Sequence, residues 1–414
     1  MEATLITDLP FLDAAATEAP VVTPTLPPAV IASRLQRAWA TALFYLTDAR
    51  LLWRFMRSGA RMQLAKTRIE ELKRAYYGAL QVKKVARVDG RYFREYFAPG
   101  MPSAAYDTYI ASTVNRLVPF RGDADTLNLV FLAITKKCPL ACEHCFEWDA
   151  LNEKEVLSRA DIQDMVAQFQ ARHVTQIFFS GGEPMLRVND LVAVVEAAQP
   201  GTDFWVFTSG FNFTRDNAQS LKRAGFTGVS ISLDHHEPAR HNAFRGSPDA
   251  YANAVQAAAH AHEAGLVVNL SLCVTQDFTT PANLLAYARL ARQLGVTFIQ
   301  ILEPRAVGHY AGQAVDLSHA QVALLEEFYL EMNYGPDYLD WPLVHYYGYH
   351  QRRMGCGGAA DRFLYVDTDG DLHACPFCQK KSGSALCSSK GGSLDAALAS
   401  LKTRGCHPFA QASM

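Results

Sequence analysis

The chain has 414 residues, enough for two or three domains, and its 39 Lys and Arg nearly balance its 41 Asp and Glu. That balance excludes a uniformly basic or acidic protein, and no uncharged apolar stretch reaches the ~20 residues that span a bilayer. Of the nine cysteines, six stand in two tight groups. Such grouping points to metal ligation in a reducing compartment rather than to disulfides, so a cytoplasmic location is expected.

Residues 1–28 are rich in Ala, Thr and Pro and contain no Lys or Arg, which predicts a flexible tail and no secretory leader. Residues 29–120 are expected to form a basic, helical N-terminal domain. Between 31 and 100 there are fifteen Lys and Arg against five Asp and Glu. Trp39, Leu43, Leu46, Trp53 and Met56 recur near helical spacing, which predicts an amphipathic helical pair packed on the rest of the chain. The same pattern would suit a helix lying on an anionic membrane surface, which would make the protein peripheral to the membrane, or one docking an acidic protein partner. Nothing resembles a nucleic-acid module, and no nucleic-acid partner is expected. Val85–Phe93 reads as a hairpin turning at Asp89-Gly90, and after the Pro/Gly break at 98–102 a further helix ends near Leu117.

From 121 to 315 the chain alternates. Apolar, β-rich runs stand at 127–135, 175–180, 204–208, 228–233, 266–274 and 298–302. Helical patterns separate them at 158–172, 188–198, 214–224, 249–264 and 281–294. Six strand–helix repeats predict an α/β fold, a parallel sheet with helices outside, curled into a partial (β/α)6 TIM-like barrel. In such folds the functional groups collect at the C-terminal strand ends.

The first strand runs into Cys138-Pro-Leu-Ala-Cys142-Glu-His-Cys145, a C-x3-C-x2-C spacing. Thiolates suit soft metals and iron–sulfur clusters, and three of them on a [4Fe–4S] cube leave one iron open. A structural zinc site instead closes four ligands. The second strand ends in Ser180-Gly-Gly-Glu-Pro184, where two glycines let the backbone approach a ligand and a carboxylate can accept from an ammonium group.

Together these stretches, with Phe146 beside the third cysteine, resemble the radical S-adenosylmethionine (SAM) superfamily. The resemblance implies that Cys138, Cys142 and Cys145 hold a [4Fe–4S] cluster whose open iron is chelated by SAM. It further implies reductive cleavage of SAM to a 5′-deoxyadenosyl radical that abstracts a substrate hydrogen, with flavodoxin or ferredoxin as external reductant. Gly181, Gly182 and Glu183 would contact the methionine end of SAM. Ser209, at the third strand end, would lie near the ribose, and Ser232 and Asp234, at the fourth, toward the ribose or the substrate. Arg245 would suit the SAM carboxylate. His235 and His236 stand where relatives tend to have Gly, and with His241 could reach the substrate. Glu303, Arg305 and His309 follow the sixth strand as candidates for substrate contact, and the backbone near Gly308 would meet adenine. Cys273 reads as core packing.

Residues 316–414 add Cys356, Cys375, Cys378, Cys387 and Cys406. Phe363–Cys375 reads as a hairpin turning at Asp369-Gly370, which delivers Cys375 and Cys378 as a C-x2-C knuckle. The spacing Cys356-x13-Gly370-x4-Cys375 resembles the opening of a SPASM/twitch-type auxiliary-cluster domain. Five cysteines rather than seven imply one auxiliary [4Fe–4S] cluster, with Cys356, Cys375, Cys378 and Cys406 as ligands and Cys387 as the alternate. A zinc ribbon is the plainer reading. Because enzymes with this extension mostly modify peptides, oxidative or cross-linking modification of a peptide or protein substrate leads. The alternatives are a small-molecule or lipid substrate and, in another class, an iron–sulfur electron carrier or scaffold; an electron carrier would have no use for Gly-Gly-Glu-Pro.

Overall fold

The computed structural model describes residues 24–56, 58–78, 80, 84–121, 127–378, 380–386 and 393–404. Helices α1 (Arg34–Phe55), α2 (Gly59–Tyr77) and α3 (Ala104–Leu117), with the hairpin β1 (Ala86–Val88) and β2 (Arg91–Phe93), make up the N-terminal region. Each helix begins at a serine whose hydroxyl accepts a first-turn N–H: Ser33 from Gln36, Ser58 from Arg61, Ser103 from Tyr106. The hairpin turns at Asp89 and Gly90, whose φ of 47° and 75° are the two left-handed values a type I′ turn requires.

The barrel follows: β3 (Leu129–Ala133), α4 (Arg159–Ala171), β4 (Gln176–Ser180), α5 (Val188–Glu196), β5 (Asp203–Thr208), α6 (Arg215–Ala224) and β6 (Phe226–Ser232). It continues with α7 (Pro238–Arg245), α8 (Ala250–Glu263), β7 (Val267–Cys273), α9 (Pro281–Gln293) and β8 (Phe298–Leu302). The last elements are α10 (His319–Tyr334), β9 (Leu343–Tyr346), α11 (Tyr347–Met354), β10 (Phe363–Val366), β11 (Leu372–His373) and α12 (Leu394–Arg404). β3 to β8 pair in parallel in chain order, as the six-repeat pattern predicts. Every residue of β4 and β7 is buried, as expected for strands covered on both faces.

The sheet also extends past those six strands at both edges. β9 adds in parallel to β8, and β10 adds in parallel to β3. The expected hairpin at 363–375 is present as β10–β11, with Gly370 at φ 77°, but its first strand serves the barrel as well.

The N-terminal region closes the end of the barrel where the strands begin. Phe93 and Tyr96 share one buried cluster with Leu129, Phe178, Trp205, Val267, Phe298 and Leu343. The Tyr96 ring lies 5.5 Å from Phe178, 5.3 Å from Trp205 and 5.6 Å from Phe298. Arg91 seals the rim with an ion pair to Asp203 at 2.5 Å and a hydrogen bond to Thr227 at 3.2 Å. Lys84 is buried beside this plug and donates to the Pro342 carbonyl at 3.0 Å, and burial pulls its ammonium down to about 7. Burial likewise pulls His345, packed on Phe97 at 4.6 Å, down to about 3.

Candidate active site

The three clustered cysteines stand at the opposite end, on the loop leaving β3, and the chain holds that loop from several sides. The Asn152 amide brackets Cys138, accepting from its N–H at 3.0 Å and donating to its carbonyl at 3.1 Å. Ala141 and Glu143 donate backbone N–H groups to the carbonyls of Arg245 and Phe244 at the end of α7. From the turn after β8, the His309 N–H donates to the Cys145 carbonyl at 2.9 Å, and its Nδ1 lies 2.9 Å from the Cys142 carbonyl oxygen. Trp148 stacks on the same imidazole with ring centres 3.7 Å apart and planes 2° from parallel. Gly308 is needed there, because its φ is 56° and a Cβ would stand 2.3 Å from the Cys145 carbonyl oxygen.

Gly181 and Gly182 are explained by the same loop. A Cβ at Gly181 would lie 2.5 Å from the Thr135 carbonyl oxygen, and one at Gly182 would lie 2.3 Å from that of Lys137. The Gly182 and Glu183 N–H groups donate to those same two carbonyls at 2.7 Å. The close approach the glycines permit is thus made to the cysteine loop. The Glu183 carboxylate is not the open acceptor expected of it. It is buried and takes hydrogen bonds from Ser209 N at 2.8 Å, Ser209 Oγ at 2.6 Å, Thr208 Oγ1 at 2.8 Å and Met185 N at 3.1 Å. Burial pushes its proton affinity up although these donors oppose the rise. Ser209 is committed to Glu183 as well.

Asp234 and Arg245, both expected near SAM, are bonded to each other. Asp234 Oδ2 accepts from Arg245 Nε and Nη2, both at 2.6 Å, and Oδ1 accepts from the Cys273 N–H at 3.0 Å. Burial would raise the Asp234 carboxyl, but Arg245, then His144 and His241, hold it below the usual range. Arg245 Nη1 points at the Cys142 sulfur, 3.6 Å away. Of the side chains expected near the ribose, Ser232 alone ends its strand with a hydroxyl that makes no hydrogen bond among the described residues.

The histidines after β6 also turn inward. His241 is fully buried and its Nδ1 accepts from the Asp234 N–H at 3.0 Å. Burial lowers both His241 and His235 to about 4, so both are neutral near pH 7. Glu303 is engaged by Arg352 at 2.6 Å, Tyr346 at 2.7 Å and Arg305 at 3.1 Å. Cys273 is buried, as the core reading requires.

The second cysteine group is assembled next to the first. Ala359 N–H donates to the Ala374 carbonyl at 2.9 Å, which lays the Cys356 loop against the residue before Cys375. The Cys378 N–H closes the knuckle on the Cys375 carbonyl at 3.1 Å. Phe377, inside this knuckle, meets Phe146 edge-on at 6.1 Å, and Phe146 meets Tyr365 at 5.7 Å. Tyr365 also donates to Glu147, and Lys136 pairs with Asp369 at 2.9 Å, so four contacts join the two cysteine-bearing segments. Cys387 and Cys406 lie outside the described residues.

The donor chemistry fits an iron–sulfur cluster. Burial pushes the Cys138 and Cys145 thiols up to about 12, so neither ionises near neutrality without a cation to bind it. The sequence identified the cysteines, but it gave no notice of Asn152, Trp148 or His309 as their supports. The signal available for His309 was a glycine–histidine step after the last core strand.

Comparison with known proteins agrees with this geometry. Residues 132–291 match the Radical SAM superfamily. The chain is 28% identical to mycofactocin maturase MftC of Mycobacterium tuberculosis over 65% of its own length and 69% of the relative's. It is 29% identical to the AdoMet-dependent heme synthase of Nitratidesulfovibrio vulgaris over 37% of this chain and 42% of that one. It is 31% identical to the GTP 3′,8-cyclase of Moorella thermoacetica over 42% and 56%. The chain thus spans about half the length of the latter two relatives. Among solved structures, Streptococcus suis SuiB bound to precursor peptide SuiA shares the fold at TM-score 0.51 and 13% identity, over 69% of this chain and 66% of SuiB. The protein anSMEcpe with bound AdoMet does so at 0.50 and 16%, over 67% and 82%. The cysteine loop, the glycine pair locked against it and the parallel barrel that carries both are the parts of a radical SAM superfamily domain.

Proposed function

We propose that the chain is a radical SAM enzyme that holds one [4Fe–4S] cluster on Cys138, Cys142 and Cys145 and an auxiliary [4Fe–4S] cluster in its C-terminal domain, and that oxidises or cross-links a peptide or protein substrate. The observation that carries this reading is the loop of three thiols, Cys142 buried and Cys138 and Cys145 half-buried, locked by Gly181 and Gly182 at the C-terminal strand ends. When bound, the cluster and SAM supply a 5′-deoxyadenosyl radical able to take a hydrogen atom.

This chain's own residues shape the place where that happens. Glu183 fixes the turn at Thr208–Gly210, so that the backbone there lines the mouth in one conformation. Arg245, held by Asp234, directs one N–H at the Cys142 sulfur, and hydrogen bonds to cluster sulfurs raise the reduction potential. Cys356, Cys375 and Cys378 are three of the auxiliary ligands, and Cys406 is the fourth in our assignment. The peptide reading is supported by the fold shared with SuiB bound to its precursor peptide. An electron donor such as flavodoxin or ferredoxin is part of the proposal. A small-molecule substrate is the second reading, supported by the likeness to a heme synthase and a GTP cyclase.

The test is anaerobic reconstitution of the full chain followed by dithionite and SAM. 5′-Deoxyadenosine should form, and Cys142→Ala should abolish it; no product from either protein sinks the enzyme reading. Iron analysis with Mössbauer spectra should find about eight irons per chain for two cubes, whereas zinc or half that iron removes the auxiliary cluster. Deuterium passing into 5′-deoxyadenosine from a labelled peptide, and not from a porphyrin or nucleotide, decides the substrate class.

A further inference from the structure

Helix α1 is apolar on two opposite sides. Its inner side, with Ala40, Phe44 and Leu51, packs on Val85, Met101 and Tyr106. Its outer side shows water Leu35 at 83% exposure, Trp39 at 62%, Leu46 at 66% and Trp53 at 76%. At 3.6 residues per turn these four lie within about 40° of one another, in a straight line along the 22-residue helix. Exposed apolar residues scattered singly need no explanation, but a stripe of two tryptophans and two leucines along one helix does.

The charges around the stripe say what covers it. Arg34, Arg50 and Arg54 are exposed on α1. The single acid of the helix, Asp48, is turned inward, where it accepts from the Tyr106 hydroxyl at 2.6 Å. A second copy apposed through this same face would set arginine against arginine. A flat anionic surface meets both the arginines and a linear row of Trp and Leu, and tryptophan favours the boundary between headgroup and acyl chain. We infer that the outer face of α1 is a docking surface for an anionic lipid bilayer, with the stripe Leu35–Trp39–Leu46–Trp53 set into the interface and the arginines on its phosphates.

The placement also bears on the substrate. Helix α1 reaches the barrel through the hairpin that plugs the strand-start end, whereas the loop of Cys138, Cys142 and Cys145 leaves β3 at the opposite, C-terminal end. A lipid-seated α1 anchors the protein by its closed end, so the inference gives no support to a lipid substrate at the mouth.

Flotation of the full-length protein with phosphatidylcholine vesicles, with and without phosphatidylglycerol, tests this. The protein should rise with the anionic vesicles at low salt and leave them in molar salt. Trp39→Glu/Leu46→Glu/Trp53→Glu should lower partitioning at least ~10-fold, and Arg34→Glu/Arg54→Glu by about 10-fold. Both variants change only exposed side chains, and unchanged melting curves keep loss of binding distinct from loss of fold; Trp39→Ser/Trp53→Ser gives a milder check. SAM cleavage without vesicles should be equal in all, so failure of the docking surface and failure of the enzyme reading are separable. The inference is overturned if the protein stays at the bottom of the gradient, if it binds neutral and anionic vesicles alike, or if the triple variant floats like the parent. It is equally overturned if Leu46→Glu abolishes a concentration-dependent dimer while no vesicle binding is seen, because the stripe then meets a second copy.

Discussion

At the end where the strands begin, Phe93, Tyr96, Phe178, Trp205 and Phe298 fill the barrel with rings, and the charged groups nearest them are neutralised by burial or paired at the rim. At the other end the same strands deliver Thr208, Ser209, Ser232 and Asp234, and the packing is made of hydrogen bonds between loops. One end is held by area removed from water, which tolerates changes of shape poorly and changes of pH only through its buried bases. The other is held by directional bonds among polar groups, each of which leaves a stranded partner when cut. The difference predicts that the two ends fail in different ways.

The largest effect belongs to the mouth. Cys142→Ala should remove the cluster and all SAM cleavage while leaving the melting temperature of the metal-free chain close to the parent's, as read by calorimetry and visible absorbance. Next comes the plug, where Tyr96→Ala removes a ring that is 1% exposed and should cost about 3–5 kcal/mol in denaturant unfolding. The folded fraction of that variant should still cleave SAM, and if the loss falls on cleavage rather than stability the two ends are not independent. Arg245→Ala strands the buried Asp234 carboxylate and should cost a similar ~3–5 kcal/mol, whereas Asp234→Ala/Arg245→Ala together should cost less than that single change. In redox titrations the reconstituted Arg245→Ala protein should also show a more negative potential. Glu183→Gln turns an amide N–H₂ toward donors that need an acceptor, and about 1–3 kcal/mol of stability should go with it.

The smallest effects are those of pH at the plug. Lys84 has its proton affinity lowered to about 7, so between there and the ordinary lysine range the unfolded chain binds the extra proton. Stability should therefore climb as pH rises from 7 toward 10, and Lys84→Met should flatten the climb. His345, lowered to about 3, acts in the acid range: the unfolded chain takes a proton below about 6.5 that the folded chain refuses, so stability should fall from there toward pH 3.

Much of the barrel was legible because its strands are long apolar runs bounded by turn residues, a pattern that burial on both faces imposes. Strand β9, Leu343-Val-His-Tyr346, escaped notice: it is four residues long, follows a proline and carries a histidine. The plug escaped for another reason, since Phe93 and Tyr96 lie in a short hairpin and loop whose barrel partners are scattered along the sequence from Leu129 to Leu343. At the site, the cysteines and the glycine pair could be recognised by spacing alone. What spacing could not say is which side chains are already bonded to one another. Glu183, Ser209, Asp234 and Arg245 read as ligands for something else because they are polar residues at strand ends, yet each is satisfied within the chain.

The clamp made by Gly308, His309, Trp148 and Asn152 bears on how the protein acquires its iron. A loop of free cysteines must lose its conformational freedom when metal arrives, and that loss weakens binding. Here the carbonyls of Cys138, Cys142 and Cys145 are each held by a neighbour or a distant loop, through groups that belong to the chain itself. The ordering cost therefore falls on the folding of the barrel. The contacts that shape the receptacle for a cluster are thus contacts of the fold itself.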